Sequence, residues 1–227
     1  MNPIFDRLEE YIIYENAHII ALNKPEGVLV IPDGYDKTQP CLQDLLTEKY
    51  GKIWVTHRLD KATSGVILFA KDSETHKFMN IAFSNRRVKK TYIAIIHGVP
   101  FWDKLTINYP LKVNGDRMHR TTISFSGGKK ASTYIKILEK AQFSSKALIE
   151  PKSGYAHQIR SHLSNIGHPI LGDSLYDRQR MRDPNQKIQC PATENGLFLH
   201  AFSLQFMGDD LNFPALKADL PVKFQNS

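Results

Sequence analysis

The chain has 227 residues, which suits one large domain or two small ones. Its 41% hydrophobic content excludes disorder as the main state, and no apolar run reaches the roughly 18 residues of a membrane span. The net charge of +7 is uneven: residues 1–50 hold nine acids against four bases, and the rest 14 acids against 26 bases, a balance suited to a polyanionic partner such as nucleic acid.

The N-terminal MNPIFDRLEE has no apolar segment and is neither a secretory signal nor an Arg-rich transit peptide. Residues 11–22 hold two apolar clusters around Glu15-Asn16, which predicts strand, turn and strand. Asn23-Lys24-Pro25-Glu26-Gly27 reads as a turn, and Val28–Ile31 as a short strand stopped by Pro32. A short helix is expected over 41–50 and a strand buried on both faces over 66–70. Asp72-Ser73 supplies an N-cap for a helix that puts Phe78, Ile81 and Ala82 on one face. Thr91 to Ile96 is β-rich. Residues 105–137 alternate short strands with turns at Asn114-Gly115 and Gly127-Gly128.

A further strand is expected near 145–150, and a helix over 155–166 with Ile159, Leu163 and Ile166 inward and Gly167 after its end. Residues 177–196 read as a polar loop and Leu197 to Phe206 as a closing strand. Hairpin turns outnumber crossovers, so the fold class is α+β with a mixed, mainly antiparallel sheet and flanking helices. The chain is expected to form a single domain, 1–227, with a possible seam around 97–110. Cys41 and Cys190 form no metal-type cluster or disulfide framework, so the expected compartment is the cytoplasm.

Phosphate-loop, dinucleotide and zinc-peptidase motifs are absent, and His157 and His162 lie five apart, wrong for two ligands on one helix face. The sequence therefore calls for no metal and no cofactor. Three segments remain. His57-Arg58-Leu59-Asp60 sits just before the buried strand, where a loop can hold side chains rigidly; Asp60 can equally be a turn cap. Arg86-Arg87-Val88-Lys89-Lys90 leads into a strand bearing Tyr92, either a solvated run or phosphate contacts beside a stacking ring. His157 and Arg160 fall opposite Ile159 and Leu163 on the last helix, either a solvated face or one turned to a ligand.

Together these segments resemble the RluA-type ribosomal large-subunit pseudouridine synthases. The family motif HRLDxxTSG is matched fully by residues 57–65. Asn23–Gly27, Lys90–Ala94, His157–Leu163, Gly167–Asp173 and Leu199-His200-Ala201 also resemble the family, so the likeness covers about residues 11–215. The family often carries an N-terminal RNA-binding module of the S4 type; this chain is expected to be the catalytic domain without it.

The resemblance implies a mixed, mainly antiparallel sheet with helices and loops flanking a central basic cleft, and a metal-free, cofactor-free isomerisation of uridine to pseudouridine in rRNA or tRNA; a monomer is expected. It implies Asp60 as catalytic carboxylate and Tyr92 as the active-site tyrosine beside a flipped base. Arg58 is the residue implied to hold the flipped RNA. Arg86, Arg87, Lys89, Lys90 and Arg160 are implied phosphate contacts, with His57 and His157 in the same RNA-binding set. One position departs: the family has arginine after the glycine of this segment, paired with the aspartate, whereas Gly154 here precedes Tyr155. An RNA-binding homologue with reduced or lost turnover is thus the alternative. A glycoside or nucleoside hydrolase ranks lower, since its second carboxylate, about 5–9.5 Å away, has no candidate in the matched motifs.

Overall fold

The computed structural model describes residues 2–177, 196–208 and 213–225. The expected 177–196 loop lies almost wholly outside them, as does Cys190. The chain divides into two compact units, Met1–Lys90 with Ala201–Leu220, and Thr91–His200 with Pro221–Ser227. Two of the three divisions, after Lys90 and after His200, fall inside strands, and the third follows Leu220; none falls in the 97–110 stretch.

In the first unit, β1 (Ile12–Glu15) and β2 (Ile19–Lys24) form the expected hairpin, and β2 pairs antiparallel with β4 (Ser64–Ala70). Every residue of β4 is buried, as its continuous apolar run requires. The two-residue strand β3 (Trp54–Val55) also pairs with β4, and the short strand β12 (Leu216–Lys217) with β11 (Leu199–Phe206), both antiparallel. Helix α1 (Leu42–Tyr50) stands where expected. Its N-terminal amides are met by the chain: Leu42 donates to the Leu29 carbonyl at 2.9 Å and Gln43 to Val30 at 3.1 Å. That use of carbonyls is why Val28–Ile31 is not the predicted strand; it keeps only a single parallel bridge, Leu29 to Cys41.

Helix α2 (Ser73–Ser84) is capped by the Asp72 side chain, which accepts from the Thr75 amide at 2.7 Å. Its core contacts are Met79 and Ala82, while Ile81 is half exposed. Met79 packs with Ile19, Val66, Leu68 and Leu204.

In the second unit β5 (Val88–His97), β10 (Ser144–Pro151), β9 (Thr133–Lys140) and β6 (Lys104–Ile107) follow in that spatial order, antiparallel throughout. A separate hairpin pairs β7 (Leu111–Lys112) with β8 (Thr122–Ile123). Helix α3 spans Gln158–Asn165, starting three residues later than predicted because His157 takes a left-handed conformation at φ 54°. Gly167, at φ 86°, closes it as expected, and the His168 amide reaches back to the Leu163 carbonyl.

Candidate functional site

In the first unit, the loop from β3 to β4 carries His57, Arg58 and Asp60. The Thr56 hydroxyl donates to the Leu68 carbonyl at 2.6 Å. His57 Nε2 accepts from the Leu68 amide at 3.1 Å, and its ring packs 5.0 Å from that of Phe83. Burial, and then the charge of Lys90, pushes the imidazole down to about 3, so it is neutral at ordinary pH. Its proton therefore sits on Nδ1, and the ring braces the loop against β4. Arg58 is exposed, Leu59 is buried, and Asp60 is half-buried.

Asp60 opens a tight turn in which Thr63 donates to its carbonyl at 3.0 Å. The next carbonyl, Lys61, is held twice, by the Gly27 amide at 2.8 Å and by Lys24 Nζ at 3.1 Å. Lys24 is fully buried, and its ammonium also donates to the carbonyls of Val28 and Pro25, at 2.8 and 3.0 Å. Burial pushes it down to about 7, while the charges of Asp60 and Glu26 favour its protonated form. The Asn23–Gly27 turn is thus a clamp on the aspartate loop. A turn reading gives no hint of it; the signal was a lysine between a buried strand and a Pro-Glu-Gly turn.

The basic run is divided by the pleat of β5. Arg86, at φ 57°, closes α2 and is exposed, as is Lys89. Arg87 Nε reaches the Met207 carbonyl at 3.3 Å, and burial pushes the Lys90 ammonium down.

In the second unit Tyr92 lies on β5 opposite Ile149 of β10, half-buried between the buried Thr91 and Ile93. The turn into α3 is organised by Gln158, which sequence reading passed over. Its side-chain oxygen accepts from Ser153 Oγ at 2.8 Å and from the Tyr155 amide, while its nitrogen donates to Ser132 and Thr133, both at 3.0 Å. Tyr155 is half-buried, with Lys129 Nζ 5.9 Å from its ring centre.

The structure corrects the reading of α3 as a helix with an outward side, solvated or turned to a ligand. Gln158 to Ser164 are all buried, and Arg160 makes a two-pronged pair with buried Asp173, both bonds 2.8 Å. Its guanidinium is committed to the fold, which removes it from the phosphate-contact set. His157 is tied similarly: Nδ1 lies 3.1 Å from the Tyr176 hydroxyl, which accepts from the Thr121 amide at 2.7 Å.

Residues 18–165 match the family model described as RNA pseudouridylate synthase. The chain is 32% identical over 214 residues to the dual-specificity RNA pseudouridine synthase RluA of Haemophilus ducreyi, covering 90% of this chain and 93% of the relative. It is 34% identical over 213 residues to tRNA pseudouridine synthase C of the same organism, covering 88% and 86%. Among solved structures, human RNA pseudouridylate synthase domain containing 4 superposes with a TM-score of 0.77 at 25% identity, covering 99% of this chain and 94% of that one.

Proposed function

The chain belongs to the RNA pseudouridylate synthase family, and from that premise we propose that Asp60 is the carboxylate with which this RNA pseudouridine synthase isomerises uridine in rRNA, tRNA or both. In the reaction the N1–C1′ bond breaks, the base turns, and C5 bonds to C1′; the C5 hydrogen leaves as a proton and N1 gains one. An ionised carboxylate can serve as nucleophile at C1′ or C6, or draw a proton from the sugar. The observation that carries the assignment is the clamp on the aspartate loop: Lys24 and Gly27 both hold the Lys61 carbonyl, one residue beyond Asp60. A catalytic side chain needs its backbone fixed in this way.

Tyr92 is proposed to stack on the flipped base and to accept the C5 proton, and Arg58 to hold the flipped strand. Exposed Arg86 and Lys89, with Arg87 and Lys90 beside them, are proposed phosphate contacts. His57 and His157 then serve RNA binding by fixing the loops that carry these groups. The two units are proposed to act as one catalytic domain, since the family match crosses the division at Lys90. No helix among the described residues is long and apolar enough to cross a membrane. The working form is proposed to be a cytoplasmic monomer that needs neither metal nor cofactor.

Tritium release from C5-labelled uridine in unmodified rRNA and tRNA transcripts tests this reading. Release is expected without added metal or nucleotide. Binding without release on either RNA would support the alternative, a homologue that lost turnover with the change to Tyr155.

A further inference from the structure

Between β6 and β9 the chain builds a small lobe, residues 108–132, that the proposed chemistry leaves unused. Its centre is the Tyr109–Lys112 stretch. On one side Ser124 donates to the Pro110 carbonyl at 2.9 Å, above the β7–β8 pair; on the other, Leu111 and Lys129 exchange two bonds of 2.9 and 2.8 Å. Gly115 and Gly128 allow the close packing, since a Cβ at either would lie 2.1 Å from Thr122 Oγ1 or the Ser124 carbonyl. The lobe is rooted in buried groups: Thr121 Oγ1 donates to the Ala156 carbonyl at 2.7 Å, and His162 Nε2 lies 3.0 Å from the Tyr109 carbonyl.

This rigid frame holds up side chains that the fold does not need. Phe125 is 78% exposed, with its ring set edge-on to Tyr109 at 5.8 Å. Lys112, Arg117, Lys129 and Lys130 are exposed around it. The lobe holds five bases against one acid, Asp116, which is bonded to Arg120 at 2.7 Å. Lys129 also reaches towards Tyr155, the position that departs from the family pattern.

We propose that this lobe is an RNA-docking surface, on which Phe125 stacks an unpaired base while Lys112, Lys129 and Lys130 contact the flanking phosphates. The inference rests on the RNA reading above. An exposed aromatic among cations fits single-stranded nucleic acid, because a π-face takes any base and the cations track the backbone. Tyr109, Val113 and Met118 of the lobe are exposed as well, but Lys112, Arg117, Lys129 and Lys130 stand exposed among these apolar groups, and that excess of cations favours a polyanion over a protein partner. The frame is already formed, so little ordering is required on binding.

The test is fluorescence anisotropy of the full chain with labelled oligouridylate and with a blunt RNA duplex of equal length. Phe125→Ala and Phe125→Leu should weaken oligouridylate binding about 5- to 100-fold, and Phe125→Tyr should stay close to the parent, because only the first two lose the stacking face. Duplex affinity should change little in all three. The salt dependence should keep its slope in Phe125→Ala and lose roughly 0.7 per site in Lys129→Ala or Lys130→Ala. If the parent binds oligouridylate and Phe125→Leu, folded by thermal melting, binds it equally well, the stacking surface is refuted while the RNA function stands; the ring then serves another macromolecule. A parent that binds neither RNA overturns both.

Discussion

Burying the ammonium of Lys24 costs the protein hydration free energy at any pH where the group is charged. Its folded pKa, pushed down to about 7, lies below the ordinary 10.5. The unfolded chain therefore holds the extra proton between those values, so stability rises with pH from about 7 to about 10.5, and the cost is fully present below 7. Urea denaturation from pH 6 to 10 should show that rise in the parent. It should be missing in Lys24→Met, which removes the titrating group and takes this donor from the Pro25 and Val28 carbonyls, while the Lys61 carbonyl keeps the Gly27 amide. A common slope in the two proteins would mean that Lys24 does not titrate in this range.

The Arg160–Asp173 pair behaves differently, because both partners are buried and hydrogen-bonded. Arg160→Met leaves the buried Asp173 carboxylate without its counter-charge and should cost about 3–5 kcal/mol, whereas Arg160→Met with Asp173→Asn, which keeps an oxygen for the Leu175 and Tyr176 amides, should recover much of it. Equal losses in the single and double variants, read by chemical denaturation, would contradict that account. Sequence periodicity placed Arg160 on an outward side, solvated or turned to a ligand, because it sees only the helix; the partner that buries it lies thirteen residues on, past the Gly167 stop.

Among the elements, β4 shows why its leading residues are what they are. Gly65 takes φ 111°, and a Cβ there would lie 2.2 Å from the Ala201 carbonyl oxygen and 2.6 Å from the Ala201 nitrogen. These are backbone atoms that cannot swing away. Gly65→Ala should therefore cost on the order of 3 kcal/mol or more, from strained φ and overpacking together. A melting temperature close to the parent's would show that the strands can part there at little cost. Elements whose signals are local were legible in the sequence: the capped start of α2, the buried run of β4, the Gly167 stop of α3. The segment Val28–Ile31 misled because its apolar residues match a strand while its carbonyls serve Lys24 and the start of α1. Helix α3 began late because a left-handed His157, held by Tyr176, lies within an otherwise helical pattern.

For the whole molecule, charge follows the division into units. The unit built from Thr91–His200 and Pro221–Ser227 holds 16 bases and 8 acids, and the other 14 bases and 15 acids. The positive excess thus belongs to the unit bearing Tyr92 and the exposed Phe125, while Asp60 belongs to the other. The sequence displayed the acidic start and basic remainder, and the HRLD motif placed Asp60 beside a buried strand. It could not display the Lys24 clamp, since that depends on bringing the Lys61 carbonyl to a turn 37 residues earlier.

The central claim is that the Asp60 carboxylate carries the chemistry on a loop held by backbone bonds, with the Lys61 carbonyl fixed by Gly27 and Lys24. Asp60→Asn keeps the size of the side chain and removes the carboxylate. Single-turnover tritium release from C5-labelled uridine, measured beside RNA affinity on the same transcript, separates the two properties. The account predicts that Asp60→Asn binds the RNA as the parent does and releases no tritium. Release at the parent's rate by Asp60→Asn would contradict it and place the catalytic group elsewhere.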